Sequence, residues 1–317
     1  MRNVTKTATL ESKFPLLAVE NNCILSKDAD ITACFEVRLP ELFTVASAEY
    51  EAIHSAWHKA IKTLPDFTVI HKQDWYIKEN YAPDLVQEDQ SFLSKSYQRH
   101  FNERPFLNHY CYLFLTKTTK NRMRMQSNFS SLCKGTLIPK EINKETIHRF
   151  MEAVAQFERI LNDSSFVSLR RLNEDDIIGT DEKQGLLEQY LTLSREAGTA
   201  MQDIALGAEE VRIGNKRLSL HTLSDTDDLP GMVSADTRFE KLSTDRSDCR
   251  LSFAAPVGLL LNCNHIYNQY LFIDNSEDNL QKFEKSARNM HSLARYSRAN
   301  QINKEWIEKY LNEAHSF

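Results

Sequence analysis

The residues with the most evident capacity for chemistry are a run of bases near the middle of the chain. From Lys117 to Lys140 the sequence holds six basic residues and no acid. Four of them follow one predicted strand closely: Lys117, Lys120, Arg122 and Arg124. Clustered like charges repel one another unless they face solvent or a polyanion. We therefore predict either a solvated loop or a docking patch for a polyanion, which would be DNA or an anionic membrane surface.

Histidine and cysteine pairs are the next candidates, because both residue types bind zinc. His54 and His58 lie four residues apart on a predicted helix, a spacing that suits two ligands of one metal. Two further pairs alternate along predicted strands and would each share a face, namely His109 with Cys111 and Cys263 with His265. These four would approach a tetrahedral site if the two strands paired, but small buried thiols explain the cysteines equally well. We assign no metal site.

The sequence contains no motif for nucleotide binding or acyl transfer. A P-loop requires G-x-x-x-x-G-K-[ST], because its backbone N–H groups must close on phosphate with no Cβ in the way. None of the eight glycines begins such a motif, and no G-x-S-x-G segment occurs. A catalytic set dispersed along the chain stays open, since such groups are distant in sequence. We assign no catalytic and no cofactor-binding residue.

Composition restricts the class of protein. The 317 residues are 41% hydrophobic and 26% charged, as in ordinary globular proteins, and the net charge of −5 gives no global basic field for nucleic acid. The six cysteines form no C-x-x-C pair, so we expect reduced thiols and a cytoplasmic protein. The polar N-terminus is no secretory signal, and the longest nearly apolar run, 254–263, is about half of a bilayer-spanning helix. We therefore expect no transmembrane segment.

The elements that would position these residues begin with a β-meander. Residues 31–38 alternate, with Ile31, Ala33, Phe35 and Val37 on one face and the polar residues and Cys34 on the other. Asn21 and Asn22 tolerate the positive φ of a two-residue hairpin turn. Further strands are predicted over 67–78, 108–118 and 165–172, two within 250–274, and a hairpin over 210–223 that turns at Gly214-Asn215.

Amphipathic helices are predicted between the strands. Residues 47–64 have Ser47 as N-cap and a buried stripe that includes Trp57, and 143–162 follow the helical period closely. Other helices are predicted within the polar stretch 84–104, over 181–195, from a cap at Ser276, and over 302–310. The irregular alternation with hairpins favours an α+β fold, in which several amphipathic helices pack a mixed or antiparallel sheet.

Two regions are predicted along the chain. Residues 1–200 would form an α+β N-terminal domain, and 201–317 would add hairpins and C-terminal helices, either to the same core or as a second one. Residues 224–248 hold seven acids, three bases, one proline and one glycine. This composition is typical of a surface excursion or an internal linker.

The opening stretch "FPLLAVENNCILSKDADITACFEVRLPELF" (14–43) and the following "EYEAIHSAWHKAIKTLPDFTVIHKQDWYI" (49–77) resemble the start of the TraG-type conjugation ATPases of Bacteroidetes conjugative transposons, within the type IV secretion ATPase family. The resemblance continues through "NHYCYLFLTKT" (108–118) and "GLLLNCNHIYNQYLFIDN" (258–275). The resemblance lies in the amino-acid sequence and the order of these segments over essentially the whole chain, and it includes no catalytic motif.

The resemblance implies an N-terminal α+β region that precedes a RecA-like motor with Walker motifs. Members of the family are hexameric ATPases on the cytoplasmic face of the inner membrane that energise pilus assembly and DNA transfer. The expected function of this chain is then that of a non-catalytic module for subunit contacts and for docking to the inner-membrane secretion apparatus. ATP and Mg²⁺ are expected only in the motor, which this sequence lacks.

The expected partners are other subunits of the conjugative apparatus, further copies of the full-length protein, and weakly DNA or an anionic membrane. Two alternatives remain at this point: a module that binds single-stranded nucleic acid through the bases after Lys117, and an unrelated cytosolic enzyme with a dispersed site. A salt-dependent shift with single-stranded DNA would favour the first alternative.

Overall fold

The computed structural model describes residues 9, 14–41, 44–81, 91–119, 142–195, 198–207, 210–222, 234, 236–252, 255 and 260–293. The helices in this part of the chain are α1 (Ser47–Ile61), α2 (Phe92–Asn102), α3 (Lys144–Asp163), α4 (Glu174–Ile178), α5 (Leu186–Thr192) and α6 (Ser276–Leu293). The strands are β1 (Leu16–Glu20), β2 (Cys23–Ser26), β3 (Ile31–Arg38), β4 (Thr68–Glu79), β5 (Phe106–Lys117), β6 (Ser168–Arg171), β7 (Ile204–Leu206), β8 (Val211–Ile213), β9 (Lys216–Leu218), β10 (Thr237–Arg238), β11 (Arg250–Leu251) and β12 (His265–Ile273).

Seven strands form the main sheet, in the order β1-β2-β3-β5-β4-β12, with β6 paired to β3 beside β2. Every pairing in the sheet is antiparallel. β4 and β5 form one long hairpin that pairs from Thr68↔Lys117 to Glu79↔Phe106. Because β12 pairs along β4, the main sheet takes strands from both sides of residue 200. Helices and an antiparallel sheet together confirm the predicted α+β class.

The N-terminal meander forms because its turn residues accept left-handed backbone. Asn21 has φ 52° and Asn22 has φ 59° between β1 and β2. Two successive positive φ angles define the turn that matches the twist of a hairpin, and asparagine reaches them more readily than most residues. The predicted Asn21-Asn22 turn is confirmed. Gly214 likewise turns β8 into β9 with φ 57°.

One face of the sheet packs against α1 and α3. The predicted inward residues of β3 all lie in this core, together with Leu113 and Leu115 of β5 and a stripe of α3. The fully buried side chains of α3 recur at helical spacing: Phe150, Val154, Phe157 and Leu161. Trp57 of α1 meets Phe157 edge to ring, with centroids 6.0 Å apart.

The opposite face of the sheet is also covered, which the strand pattern alone did not predict. Cys34, predicted to point away from the core, is fully buried in a second apolar cluster with Trp75 and Phe114. Ile177 of α4 and Leu186 of α5 close this cluster from outside. The alternation in β3 correctly predicted which residues share a face. A face that carries polar residues can still be buried when a later segment of the chain packs over it.

Helix starts differ from prediction by small, local shifts. The N-cap of α1 is Ala46, whose N–H donates to Glu49 Oε2 at 2.7 Å, so the assignment of Ser47 as cap was wrong. At α6 the Asn275 side chain accepts from the Asp278 N–H at 2.8 Å, one residue before the predicted cap Ser276. The helix predicted over 181–195 begins only at Leu186, after Gly185 as N-cap.

Several predictions lie wholly or partly outside the described residues. The helix over 302–310 does, and so do 224–233 of the predicted excursion. In the remainder of that stretch, β10 pairs with β11. The described cysteines, Cys23, Cys34, Cys111, Cys249 and Cys263, are free thiols. Among the described helices, none combines the length and apolar character needed to cross a bilayer.

Candidate functional site

The predicted basic patch is divided by the structure. Lys117, the last residue of β5, is only 7% exposed. Its Nζ donates to the backbone oxygen of Asp66 and lies 5.6 Å from the centroid of the Phe67 ring. Lys117 is therefore held inside the fold, where it stabilises the chain as it enters β4. Lys120, Arg122 and Arg124 lie outside the described residues, and the polyanion patch stays a prediction that rests on those three.

The paired-strand zinc site does not form. His109 and Cys111 do share a face of β5, but β4 lies between β5 and β12, which carries His265. The Tyr76 ring fills the space between the two histidines, at 4.8 Å from His109 and 4.7 Å from His265 by ring centroids. In the part of the chain that the structure describes, no three or more potential metal ligands come together. The helical pair of His54 and His58 lies exposed on α1.

A buried carboxylate lies beside this aromatic stack. Asp74 of β4 is 3% exposed, and its Oδ1 lies 2.8 Å from His109 Nε2 while its Oδ2 accepts from Lys72 Nζ. Burial alone would raise the pKa of Asp74, but the hydrogen bond from His109 and the charge and hydrogen bond of Lys72 outweigh it. The pKa of this carboxyl therefore lies below its ordinary value.

The hydrogen bond between Asp74 and His109 fixes the orientation of the imidazole ring, as in acid–base dyads. The surroundings of this pair nevertheless favour a structural role. Asp74 engages the Nε2 of His109, and Tyr76 covers a face of the ring. Burial and the nearby Asp74 charge raise the pKa of the Tyr76 hydroxyl to about 12. His109, Tyr76 and His265 thus link β5, β4 and β12 in a row of cross-strand stacking contacts.

The opposite face of the same strands carries a closed amide network. Trp75 Nε1 donates to Gln73 Oε1 at 2.6 Å, and Gln73 Nε2 donates to Asn268 Oδ1 at 2.6 Å. Asn268 Oδ1 also lies 2.8 Å from His71 Nε2, and the Tyr190 hydroxyl of α5 donates to Gln73 Oε1. These bonds join β4, β12 and α5, and they satisfy the polar atoms that the sheet buries here.

Arg195, after α5, attaches the chain to this face near the end of the β4–β5 hairpin. Its guanidinium carbon lies 3.4 Å from the Tyr110 ring centroid, and Nη1 donates to the Tyr112 hydroxyl at 2.7 Å. The Tyr110 hydroxyl donates to Glu79 Oε1 at 2.6 Å. Burial and this hydrogen bond raise the pKa of Tyr110 to about 12. No sequence pattern predicts this contact, because Arg195 is more than 80 residues from both tyrosines.

Helix α2, which connects the two strands of the hairpin, has a different character. None of its residues is buried. Leu93, Tyr97 and Phe101 recur every fourth residue and so share one helical face, yet Leu93 is 77% and Tyr97 64% exposed. Phe92, in the first turn, is 82% exposed. We call these four exposed side chains the tip surface: Leu93, Tyr97 and Phe101 form its apolar face, and Phe92 projects beside that face from the first turn.

Local interactions stabilise α2. The Ser91 side chain caps the helix by accepting from the Ser94 N–H at 3.2 Å, and Arg99 pairs with Glu103 at 2.7 Å one turn apart. The Tyr97 and Phe101 rings lie 4.5 Å apart by centroid. The helix predicted within the polar stretch 84–104 is present at Phe92–Asn102. The four-residue spacing of Leu93, Tyr97 and Phe101 was the available signal for an apolar face.

A second apolar surface lies on β12, the last strand of the described sheet. Tyr270 and Phe272 share one face of this strand and are 57% and 47% exposed, and Leu271, 47% exposed, lies on the other face. Tyr270 stacks on His71 with centroids 4.2 Å apart, which holds its ring against the sheet. Both surfaces are suited to contacts with another molecule, because exposed clusters of large apolar residues mark interaction sites.

A family model described as "Domain of unknown function, B. Theta Gene description (DUF3875)" matches residues 3–55. The matched segment contains the β1–β3 meander and the first half of α1. No curated protein matches the chain.

Proposed function

We propose that this chain is a non-catalytic module of a conjugative-transfer, type IV secretion ATPase. In this role it makes subunit contacts and docks the ATPase on the inner-membrane secretion apparatus, from the cytoplasmic side. The proposal starts from the resemblance of 14–43 and 49–77 to the TraG-type ATPases. The family match over 3–55 falls on part of the same region but carries no function in its description.

The observation that carries the docking role is the exposure of the tip surface. A folded chain gains stability by covering side chains such as Leu93 and Tyr97, and α3 does this for its own apolar stripe. In α2 the same residue types stay in solvent on a helix held at the end of a twelve-pair hairpin. This position lets α2 approach a partner while the core on α1 and α3 stays intact.

The outer edge of β12 offers a separate surface for subunit contacts. Within the described residues no strand pairs with this edge, so its backbone groups and the exposed Tyr270, Leu271 and Phe272 are available to a neighbour. An open edge strand accepts an added strand through main-chain hydrogen bonds. We assign subunit contacts to this edge and docking to the tip surface.

The non-catalytic part of the proposal rests on sequence, since the chain has no phosphate-binding loop. Titration calorimetry of the 317-residue chain with Mg-ATP should give no heat of binding. Micromolar affinity for Mg-ATP would contradict this part of the proposal, because such binding needs a nucleotide site that the sequence does not encode.

The decisive experiment measures transfer frequency from a donor strain that carries the native gene. An in-frame deletion of the gene should abolish transfer of the conjugative element, and the intact gene supplied in trans should restore it. The double variant Leu93→Ser/Tyr97→Ser should lower transfer by roughly tenfold, the factor that corresponds to about 1.4 kcal/mol of lost contact energy.

The matched control is Leu206→Ser/Leu220→Ser, which removes two equally exposed leucines far from α2 in sequence. It should transfer like wild type at equal protein level. A deletion strain that transfers normally would refute the conjugative function itself. If instead the deletion abolishes transfer and the α2 variant behaves like the control, the function stands and docking does not use the tip surface.

A further inference from the structure

We infer that α2 binds the surface of an anionic lipid bilayer and lies in the plane of the interface with the tip surface inserted. This inference rests on the proposed docking function and names the partner of that site. The observations that lead to it are the apolar face of α2, the charges around that face, and the place of the helix at the end of the hairpin.

The apolar face of α2 has the composition of an interfacial helix. Leu93, Tyr97 and Phe101 occupy one face, and Phe92 projects from the first turn about 100° away from Leu93 around the helix. The opposite side carries Lys95, Arg99 and Asn102, and Ser94 and Gln98 lie between the two sides. Interfacial helices have such a division, with large apolar rings on one side and low net hydrophobicity overall.

Two exposed aromatic side chains lie close to α2 in sequence, and one of them contacts its apolar face. Tyr81, at the end of β4, meets Phe101 with ring centroids 6.1 Å apart and is 43% exposed. Phe106, the first residue of β5, is 46% exposed. Tyrosine suits the boundary of a membrane, because its ring is apolar and its hydroxyl stays hydrated.

The charges around α2 favour an anionic partner. Between Ser91 and Phe106 there are three bases, Lys95, Arg99 and Arg104, and the single acid Glu103. This local excess of positive charge contrasts with the net charge of −5 of the whole chain. Arg99 pairs with Glu103, but both side chains are more than 60% exposed, so the pair is weak and exchanges readily for a phosphate contact.

The shape and length of α2 favour a lipid surface over a second copy of the chain. An 11-residue helix is about 16 Å long, too short to cross a bilayer but long enough to lie along one. A second copy carries the same excess of bases around its own α2 and so offers them no opposite charge there. A bilayer needs no complementary groove, and its headgroups supply the opposite charge for every base.

The test is co-sedimentation of the 317-residue chain with vesicles. One set contains about 30% phosphatidylglycerol in phosphatidylcholine, and the other is pure phosphatidylcholine; two to three bases should make binding to the anionic set roughly tenfold or more tighter. Raising the salt to about 0.5 M should remove most of this difference, because exposed charges are then screened within a few ångströms.

Two double variants separate the apolar and the charged contributions. Leu93→Ser/Tyr97→Ser should reduce binding to both vesicle types by roughly tenfold or more, since it removes the inserted side chains. Lys95→Gln/Arg99→Gln should bring anionic vesicles down to the level of neutral ones. The matched charge control is Arg149→Gln/Arg159→Gln on α3, whose arginines are equally exposed and also pair one turn away.

The melting temperature of each variant should match wild type, because α2 buries none of its residues. Equal binding of wild type to both vesicle types would overturn the inference. It would also fail if both α2 variants bound like wild type while replacement of Lys120, Arg122 and Arg124 abolished binding. A concentration-dependent dimer that Leu93→Ser/Tyr97→Ser converts to monomer, without lipid binding, would identify a second copy as the occupant. None of these failures affects the transfer test of the deletion strain.

Discussion

Helices α2 and α3 are both amphipathic, yet only one of them is packed. In α3, Phe150, Val154, Phe157 and Leu161 are fully buried between the sheet and α1. In α2, Leu93, Tyr97 and Phe101 have a similar spacing and similar side chains, and all three are exposed. A helical period in the sequence therefore predicts that a helix has an apolar face. Whether that face is buried depends on which other parts of the chain pack against it.

The two ends of the β4–β5 hairpin repeat this contrast. At the end near Lys117, neighbouring strands flank the hairpin on both sides: Ile31 of β3 pairs with Lys117, and Ile273 of β12 pairs with Thr68. Lys117 itself is buried there. At the other end the strands finish at Glu79 and Phe106, and the connecting α2 stands clear of the core. Stability should thus be concentrated at the first end and contact function at the second.

The largest effect should come from the packed helix. Phe157→Ala removes a fully buried ring that contacts Trp57, and the cavity should lower the free energy of unfolding by about 4 kcal/mol. Leu93→Ala on α2 should change it by less than about 0.5 kcal/mol, because that side chain is 77% exposed. Urea unfolding followed by circular dichroism measures both. Similar losses for the two variants would show that α2 is packed in solution and would break the comparison.

A charge reversal at the closed end should follow in size. Lys117→Glu places a carboxylate against the Asp66 carbonyl oxygen in a buried position, which should cost about 3 kcal/mol or more. The triple variant Lys120→Glu/Arg122→Glu/Arg124→Glu serves as comparison; if these three form the predicted surface patch, it should cost less than about 1 kcal/mol. Wild-type stability of Lys117→Glu would contradict a structural role for this lysine.

The buried carboxylate should make a smaller, pH-dependent contribution. Asp74→Asn should lower the free energy of unfolding by about 2 kcal/mol at pH 7, since it removes the charged partner of His109 and Lys72. The pKa of Asp74 is lowered in the folded state, so its stabilising effect is present above the unfolded-state pKa of about 3.9 and is lost as pH falls through the folded value.

Urea titrations of wild type and Asp74→Asn from neutral to acidic pH test this sign. The difference between the two proteins should shrink as the pH falls below about 4, because wild-type Asp74 is then becoming protonated as well. A difference that grows on acidification would mean that the carboxyl has a raised pKa and that burial dominates over its two partners.

The smallest effect should be confined to α2. Ser96→Ala replaces an exposed residue by a better helix former and should raise the local stability of α2 by about 0.5 kcal/mol, which slows amide exchange there roughly twofold. Global unfolding should not change. Hydrogen exchange should show α2 amides exchanging through local opening and α3 amides through global unfolding. Equal protection of the two helices in wild type would contradict an uncovered α2.

Much of the local structure was predictable, because it depends on neighbouring residues. Asparagine at positions 21 and 22 set the first hairpin turn, the alternation of 31–38 set the two faces of β3, and the helical period set α3. The α+β class followed from the order of these segments. The caps of α1 and α6 were misplaced by one residue, since several neighbouring side chains compete for the same free N–H groups.

The tertiary structure alone decided which of these faces are covered. Cys34 is buried only because α4 and α5 return to the second face, and Lys117 only because the chain at Asp66 and Phe67 folds beside it. His109 and His265 flank Tyr76 because β4 takes a position between two strands that are far apart in sequence. Periodicity and backbone preference act over a few residues, whereas burial and strand order here depend on contacts between residues as far as 51 and 195 positions apart. The spacing of the apolar residues in α2 was therefore visible in the sequence, whereas the exposure of its apolar face to solvent was decided by the tertiary structure.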